Sequence, residues 1–156
     1  MMTEDGKKAP DFTLPDADGN NVKLSSLKGH VVVIYFYPKD DTTGCTAEAK
    51  DFTCLAGAFE RSGVTVLGIS PDSPASHRKF AEKHGLGVRL LADEDHKVAE
   101  KYGVWVEKTM YGRRYMGVER ATFLIDASGK VVRSWRKVKV TGHADEVLAA
   151  AQSLKA

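Results

Sequence analysis

Residues 31–45 read VVVIYFYPKDDTTGC, and they join a strongly apolar segment to a short polar run that ends in a cysteine. Apolar side chains throughout Val31–Tyr37 are typical of a central strand that is covered on both faces in an α/β sheet. A helix is predicted to begin near Cys45. The unpaired N–H groups and the positive dipole end of a helix start favour an anion, so they stabilise the Cys45 thiolate over the thiol. The position therefore predicts a reactive cysteine rather than a buried structural one.

The remaining strands and helices are predicted from periodicity and turn residues. Residues 11–15 and 22–24 alternate around a turn at 16–20, which predicts an N-terminal β-hairpin. The later elements are a helix from Cys45 to about Arg61, a strand at 64–70, a helix ending at Lys83, an apolar pair at 90–91, a shorter helix ending at Tyr102, a hairpin of 122–126 and 131–135, and a helix from His143 to about Leu154. Residues 110–117 are interpreted as a turn-rich loop. This order predicts an α/β fold with a mixed central sheet flanked by helices.

Length and composition bound the class of protein. With 156 residues, we expect a single domain, residues 1–156, around one hydrophobic core. No segment approaches the ~20 apolar residues of a membrane helix, and no apolar segment follows the N-terminal charges, so we expect a cytoplasmic protein that does not bind membranes. The net charge is +2, and the densest basic group, at 133–139, is interpreted as a solvated edge strand, so no nucleic-acid partner is expected.

The two cysteines of the chain lie on opposite faces of the predicted helix. Successive helical residues rotate by ~100°, so Cys45 begins an apolar stripe and points toward the sheet. The stripe continues with Ala49, Phe52, Ala56 and Phe59. Cys54 lies ~180° around the helix and ~13.5 Å along its axis from Cys45. A disulfide needs Cα atoms within ~7 Å, so these two cannot pair while the helix is intact.

The histidines do not predict a metal site. They are His30, His77, His84, His96 and His143. They show neither metal-ligand spacing nor proximity to a cysteine pair, so we expect no metal and no cofactor. His96 and the acidic run Asp93–Asp95 are interpreted as the start of the shorter helix.

Several segments, taken in order, resemble one family. Pro38, Thr42 and Cys45 match the pattern Pro-x-x-x-Thr/Ser-x-x-Cys. Further matches are residues 9–12, 66–70, 91–96, 102–105 and 120–126. With these, the chain resembles the peroxiredoxins of the bacterioferritin-comigratory or PrxQ type over nearly its whole length. The resemblance implies a thioredoxin-like fold and thiol-dependent reduction of hydrogen peroxide and organic hydroperoxides, in antioxidant defence and redox homeostasis.

The resemblance also implies roles for individual residues. Cys45 would be the peroxidatic nucleophile, whose thiolate attacks a peroxide oxygen and becomes a sulfenic acid. Thr42 would bring its hydroxyl within hydrogen-bond reach of the sulfur and the peroxide, and Pro38, which lacks an N–H, would wall the pocket against water. Arg120 would hold the thiolate and stabilise charge on the leaving oxygen. The implied partners are a peroxide and a reductant, either a thioredoxin-like protein or a low-molecular-weight thiol, and the chain would act as a monomer or weak dimer.

The chain departs from the family pattern at the second, resolving cysteine. Many members carry it five residues after the first, and others carry it on the following helix. The residues at those places here are Lys50, Ser76, His77, Phe80 and Ala81. Cys54 is therefore the one candidate resolving cysteine, at a position where we expect an acidic residue. Three recycling routes are open, in our order of expectation: an external thiol, a disulfide between two chains, and a Cys45–Cys54 bridge that requires the helix to unwind.

Three other classes compete with this interpretation. A cysteine hydrolase would need a histidine base, and the sequence places none near the predicted helix start. A thioredoxin-like thiol–disulfide oxidoreductase normally presents Cys-x-x-Cys, and the partner position here is Glu48. A non-catalytic redox-sensing or binding module with the same fold is the third. Peroxide consumption that depends on Cys45 separates the peroxidase from all of them.

Overall fold

The computed structural model describes residues 5–154 as nine strands and five α-helices. The strands are β1 (Thr13–Pro15), β2 (Asn21–Lys23), β3 (Val31–Phe36), β4 (Val64–Ser70), β5 (Arg89–Ala92), β6 (Trp105–Met110), β7 (Arg113–Val118), β8 (Ala121–Ile125) and β9 (Val131–Trp135). The helices are α1 (Thr43–Cys54), α2 (Ala56–Arg61), α3 (Pro74–His84), α4 (Lys97–Lys101) and α5 (His143–Ser153), and a 3₁₀ turn covers Leu24–Leu27.

The central sheet has five strands in the order β5-β4-β3-β8-β9. Strand β3 pairs in parallel with β4, with Val33 opposite Val66, and antiparallel with β8, with Val33 opposite Leu124. Strands β4 and β5 are parallel, and β8 and β9 are antiparallel. The predicted mixed sheet and its central parallel pair are confirmed.

Both faces of this sheet are covered, because β3 alternates between two apolar layers. Val32, Ile34 and Phe36 pack in one layer with β1, β2 and α4. Val33 and Tyr35 pack in the other layer with α1, α2, α3 and α5. All six residues of β3 are buried, as the unbroken apolar run predicts for a central strand with helices on both sides. The layer that contains α1 is the layer that receives Cys45.

The helix that carries the cysteines differs from the predicted one. It begins at Thr43, two residues early, because Thr42 has extended backbone (φ −96°, ψ 158°) and its carbonyl accepts from the Thr46 amide. It also ends at Cys54, and Leu55 (φ −94°, ψ 1°) separates it from α2. The prediction of one continuous helix to Arg61 is therefore wrong. The apolar stripe gave no sign of the break, because Phe52 and Phe59 are buried in the same layer on either side of it.

The prediction of a loop at residues 110–117 is also wrong, because these residues belong to a β-hairpin. Strands β6 and β7 pair antiparallel, with Met110 opposite Arg113. The turn residues Tyr111 and Gly112 both have positive φ, 52° and 77°, as a two-residue hairpin turn requires. Most side chains of the hairpin are exposed, so its strands lack the apolar alternation that marks a half-buried strand.

Several local predictions are confirmed. Strands β1 and β2 form the N-terminal hairpin, β8 and β9 form the second one, and α5 closes the described chain. The carboxylate of Asp93 accepts hydrogen bonds from the amides of Val98 and Ala99 in the first turn of α4.

Among residues 5–154, no helix is long and apolar enough to cross a membrane.

Candidate active site

Cys45 occupies the first turn of α1 and is only 1% exposed. Its side chain belongs to the apolar layer that also contains Tyr35, Tyr37 and Phe52. The predicted inward direction of the sulfur is therefore confirmed. The helix start supplies unpaired amides near the thiol, and the surrounding aromatic rings keep bulk water away from it.

Arg120 precedes β8 and brings its guanidinium to the sulfur of Cys45. Its Nη2 donates to Cys45 Sγ at 3.1 Å, and its Nη1 donates to Glu48 Oε1 at 2.6 Å. The Arg120 side chain is only 16% exposed, so water screens both interactions weakly. A Cβ at Gly44 would lie 3.2 Å from Nη2, which means that the glycine leaves room for the guanidinium. The residue predicted as the electrostatic partner of Cys45 is thus in direct contact with it.

Glu48 is a member of the site that the sequence analysis did not identify. Its carboxylate is 1% exposed, and burial raises its pKa to about 7 although the Arg120 charge and hydrogen bond act in the opposite direction. Its Oε2 has no hydrogen-bond partner within residues 5–154. Desolvation lowers the pKa of Arg120, but attraction to Glu48 and Cys45 outweighs it and raises that pKa. The available signal was the i, i+3 spacing from Cys45, which places an acidic residue beside the thiol on one helix face.

Pro38 and Thr42 lie on the loop between β3 and α1. Pro38 is half-buried and lies two residues before the buried Asp40. Thr42 is exposed, and its hydroxyl donates to the carbonyl of Lys39 at 2.9 Å. The hydroxyl proton is thus used within the loop, and the expected reach of Thr42 to the sulfur and the peroxide stays a prediction. The oxygen keeps lone pairs that can accept a hydrogen bond from a peroxide.

Cys54 lies outside this cluster. It is exposed at the last residue of α1, whereas Cys45 is buried, and both cysteines are free. The predicted opposite orientation of the two thiols is confirmed, and α1 is intact between them. The structure therefore does not bring Cys54 to the Cys45–Arg120 contact.

Lys108 on β6 interacts electrostatically with the site. Burial lowers its pKa, repulsion from Arg120 lowers it further, and the Cys45 charge acts in the opposite direction.

Two of the histidines, His143 and His96, pack against structural partners. His143 Nε2 lies 2.8 Å from the hydroxyl of Thr122, and the His96 ring stacks on Trp105 at 3.9 Å. Over the part of the chain that the structure describes, no group of three or more His, Cys, Asp or Glu side chains could hold a metal ion.

Comparison with known proteins gives consistent matches along the chain. The AhpC/TSA family matches residues 6–134. Peroxiredoxin Bcp of Bacillus subtilis is 50% identical over 99% of this chain and 97% of its own length, and peroxiredoxin Bcp of Escherichia coli is 46% identical over 92% of each.

Solved structures agree with the sequence relatives. The bacterioferritin comigratory protein of Xanthomonas campestris, studied for its alkyl peroxide reduction activity, is 44% identical over 93% of this chain and 92% of that one, with a TM-score of 0.89. A cysteine-to-serine mutant of PrxQ from Xylella fastidiosa is 36% identical over 100% of this chain and 99% of that one, with a TM-score of 0.94.

Proposed function

Because this chain belongs to the AhpC/TSA family and is a peroxiredoxin of the Bcp or PrxQ type, a thiol-dependent peroxidase with a thioredoxin-like fold, we propose that Cys45 is its peroxidatic nucleophile. The observation that carries the proposal is the 3.1 Å contact between Arg120 Nη2 and Cys45 Sγ. A guanidinium at hydrogen-bond distance favours the thiolate, which is the reactive form. Glu48 holds the other side of the same guanidinium at 2.6 Å.

Oxidation of Cys45 consumes one peroxide. The thiolate attacks the peroxide oxygen that carries the proton, an S–O bond forms, and the O–O bond breaks. The leaving oxygen takes up one proton and departs as an alcohol, or as water when the substrate is hydrogen peroxide, and Cys45 becomes a sulfenic acid. Arg120 stabilises the negative charge as it moves from sulfur to the leaving oxygen. Pro38 shields the pocket, and Thr42 accepts a hydrogen bond from the peroxide.

An external thiol then regenerates the enzyme. It attacks the sulfenic acid, releases water and forms a mixed disulfide, and a second thiol displaces Cys45 and leaves as a disulfide. A thioredoxin-like protein or a low-molecular-weight thiol fits this role. A disulfide between two chains ranks second, and a Cys45–Cys54 bridge ranks third, because Cys54 is exposed at the far end of α1 while Cys45 is buried.

The substrates are hydrogen peroxide and organic hydroperoxides. The apolar layer that surrounds Cys45 suits an alkyl peroxide, the class reduced by the Xanthomonas campestris relative. We propose that the protein acts in the cytoplasm, as a monomer or weak dimer, in antioxidant defence. A thiol–disulfide oxidoreductase is less compatible with the site, because Glu48 stands where that class carries its second cysteine and is committed to Arg120.

The test compares purified, reduced wild type with Cys45→Ser and Cys54→Ser in a single turnover with peroxide. Wild type and Cys54→Ser should each consume one peroxide per chain at similar rates, whereas Cys45→Ser should consume none. If Cys54→Ser lost as much peroxide consumption as Cys45→Ser, that result would contradict the ranking of the recycling routes. Steady-state assays with thioredoxin and then with a small thiol identify the class of reductant.

A further inference from the structure

The loop that precedes Cys45 is held in place by hydrogen bonds to one buried carboxylate. We call residues 38–42 the Cys45 loop. Within it, Asp40 has a side chain that is only 4% exposed. Its Oδ1 accepts from the Tyr37 hydroxyl at 2.6 Å, and its Oδ2 accepts from the Ser76 hydroxyl at 2.8 Å. The same Oδ2 lies 2.7 Å from His77 Nδ1. Two of these partners belong to α3, so Asp40 ties the loop to that helix.

His77 completes a buried hydrogen-bonded pair with Asp40. Its side chain is fully buried, and its second ring nitrogen, Nε2, lies 2.8 Å from the carbonyl oxygen of Leu91. A carbonyl oxygen can only accept, so Nε2 donates to Leu91, and Nδ1 shares one proton with Asp40 Oδ2. Both ring nitrogens of His77 therefore have a partner in the core.

Other contacts also hold the Cys45 loop, and some of them are more exposed to solvent. The Asp40 amide donates to Asp72 Oδ2 at 2.8 Å. Asp41 has left-handed backbone (φ 60°), a conformation that a non-glycine residue keeps only where its surroundings hold it. Its carboxylate lies 2.7 Å from both Lys83 Nζ and His84 Nε2 on α3, but Asp41 and Lys83 are exposed. Water screens these outer pairs, so the buried Asp40–His77 pair is the stronger fastening.

The reaction makes opposite demands on this loop. Oxidation needs Cys45 held against Arg120 in a sheltered site, and a small peroxide can enter it. Reduction needs the sulfur to contact a bulkier thiol, which cannot reach a residue that is 1% exposed. The Cys45 loop must therefore be closed in one half-reaction and open in the other.

We propose that Asp40 and His77 are positioning residues whose buried hydrogen-bonded pair latches the Cys45 loop onto α3. This inference rests on the proposed peroxidase function. The closed latch holds the first turn of α1, and with it Cys45, against Arg120 during oxidation. Release of the latch opens the loop to the reductant thiol. Replacement of one member weakens the pair and leaves a buried polar group poorly partnered, which favours the open loop.

The latch is tested by the rate at which a bulky fluorescein maleimide labels Cys45 in the full-length, reduced protein. Peptide mass analysis separates Cys45 from the exposed Cys54, whose labelling rate serves as an internal reference. Asp40→Asn and His77→Gln should each raise the Cys45 labelling rate by about tenfold or more, while the single-turnover rate with peroxide falls. The opposite movement of the two rates separates a latch from a general loss of reactivity.

Three controls keep the result interpretable. Asp41→Asn removes the exposed pairs of the same loop and should change labelling less than about twofold. Local opening exposes little surface, so the raised labelling rate should depend weakly on low concentrations of urea. The double variant should label less than the product of the two single effects, because both single changes remove the same pairing. If Asp40→Asn does not fold, Ser76→Ala removes one hydrogen bond to the carboxylate and should give a smaller increase of the same sign.

Two outcomes overturn the latch. One is a set of folded variants with wild-type rates of labelling and of peroxide oxidation. The other is labelling that rises with urea in parallel with global unfolding, since the pair then only stabilises the whole fold. Failure of the proposed function would appear separately, as peroxide consumption that survives Cys45→Ser, and the labelling experiment does not depend on it.

Discussion

At the residue scale, Cys45 and Glu48 lie three positions apart on one helix turn, and both face Arg120. Arg120 lies 72 residues beyond Glu48 in the chain and donates a hydrogen bond to each of them. One guanidinium therefore serves two groups that compete for its positive charge. Because Glu48 is buried with one oxygen lacking a partner among the described residues, its ionisation is more costly than that of an exposed glutamate.

Glu48 makes a testable contribution to pH-dependent stability. Burial raises its pKa from 4.5 to about 7, so the folded state holds the proton more tightly than the unfolded state. The resulting stability is fully present below about pH 4.5 and is lost as the pH rises through about 7. Relative to Glu48→Gln, the free energy of unfolding of wild type should fall by roughly 2 kcal/mol between about pH 5 and pH 8. Urea unfolding of both proteins at the two pH values measures this difference.

The Glu48→Gln variant is the reference for this measurement, because it shares every other titrating group with wild type. Parallel pH profiles for the two proteins would contradict the raised pKa. The introduced amide keeps an oxygen that can accept from Arg120, so the variant should still fold with the guanidinium near the sulfur.

The residue scale also shows which site members a sequence can predict. Cys45 and Arg120 were predicted and are in contact. Glu48 was missed, because a helix surface pattern does not show which acidic residue a distant arginine will approach. The Thr42 hydroxyl donates to the carbonyl of Lys39, a nearby backbone partner that the sequence analysis did not identify. Short polar side chains often bond to nearby backbone in this way.

At the element scale, Gly68 on β4 shows how tightly the sheet and α1 are packed around the site. A Cβ at Gly68 would lie 2.7 Å from Cζ and Oη of Tyr35 and 3.0 Å from Leu90 Cδ2. The Tyr35 ring cannot move aside easily, because it stacks between Tyr37 and Phe52 at centroid distances of 5.6 and 4.6 Å. The glycine therefore permits the aromatic packing beneath Cys45.

Gly68→Ala should lower the free energy of unfolding by roughly 1–3 kcal/mol, because the new methyl group overpacks a filled region. Gly87→Ala is the matched control, since its Cβ would meet only Thr53 Cγ2 at 3.5 Å, an ordinary contact. That variant should stay within about 0.5 kcal/mol of wild type. Urea unfolding measures both, and equal effects would show that the close approach to Tyr35 carries no cost.

Two elements escaped prediction at this scale, for different reasons. The α1–α2 break at Leu55 leaves the apolar stripe in one layer, so periodicity does not reveal it. The β6–β7 hairpin is largely exposed, and it turns at Tyr111–Gly112 without the Asn-Gly or Asp-Gly signal that marks such turns. An element that buries few side chains needs no regular apolar pattern, so its sequence does not reveal it.

At the scale of the whole molecule, two apolar layers share one sheet. Phe123 is fully buried in the layer with α4, and Phe52 is fully buried in the layer with α1. Both layers rest on the side chains of β3, which alternate between them. This shared strand supports the prediction of a single domain, which stays a prediction until the layers are tested together.

Phe123→Leu and Phe52→Leu provide that test. Each should lower the free energy of unfolding by roughly 1–3 kcal/mol, with an unchanged urea m-value and one transition, if the layers unfold as one unit. Circular dichroism and tryptophan fluorescence should report coincident transitions for both variants. A second transition in only one of them would mean that the layers are separately cooperative.

The sequence by itself determined the place of Cys45 near a helix start, the central strand before it, the order of most elements and the opposite orientations of Cys45 and Cys54. These features depend on local rules, namely apolar periodicity, helix geometry and turn residues, which act between residues close in the chain. The matched segments added the expectation for Arg120, because they compare this chain with an already known arrangement.

The tertiary structure alone decided which distant groups meet. It brought Arg120 between Cys45 and Glu48, left Cys54 exposed, and paired Asp40 with His77 across 37 residues of chain. Such contacts depend on how the layers pack on the sheet, and burial then fixes their energies by removing water. Charge and hydrogen-bond partners at that distance leave no periodic trace in a single sequence, so only the folded chain shows them.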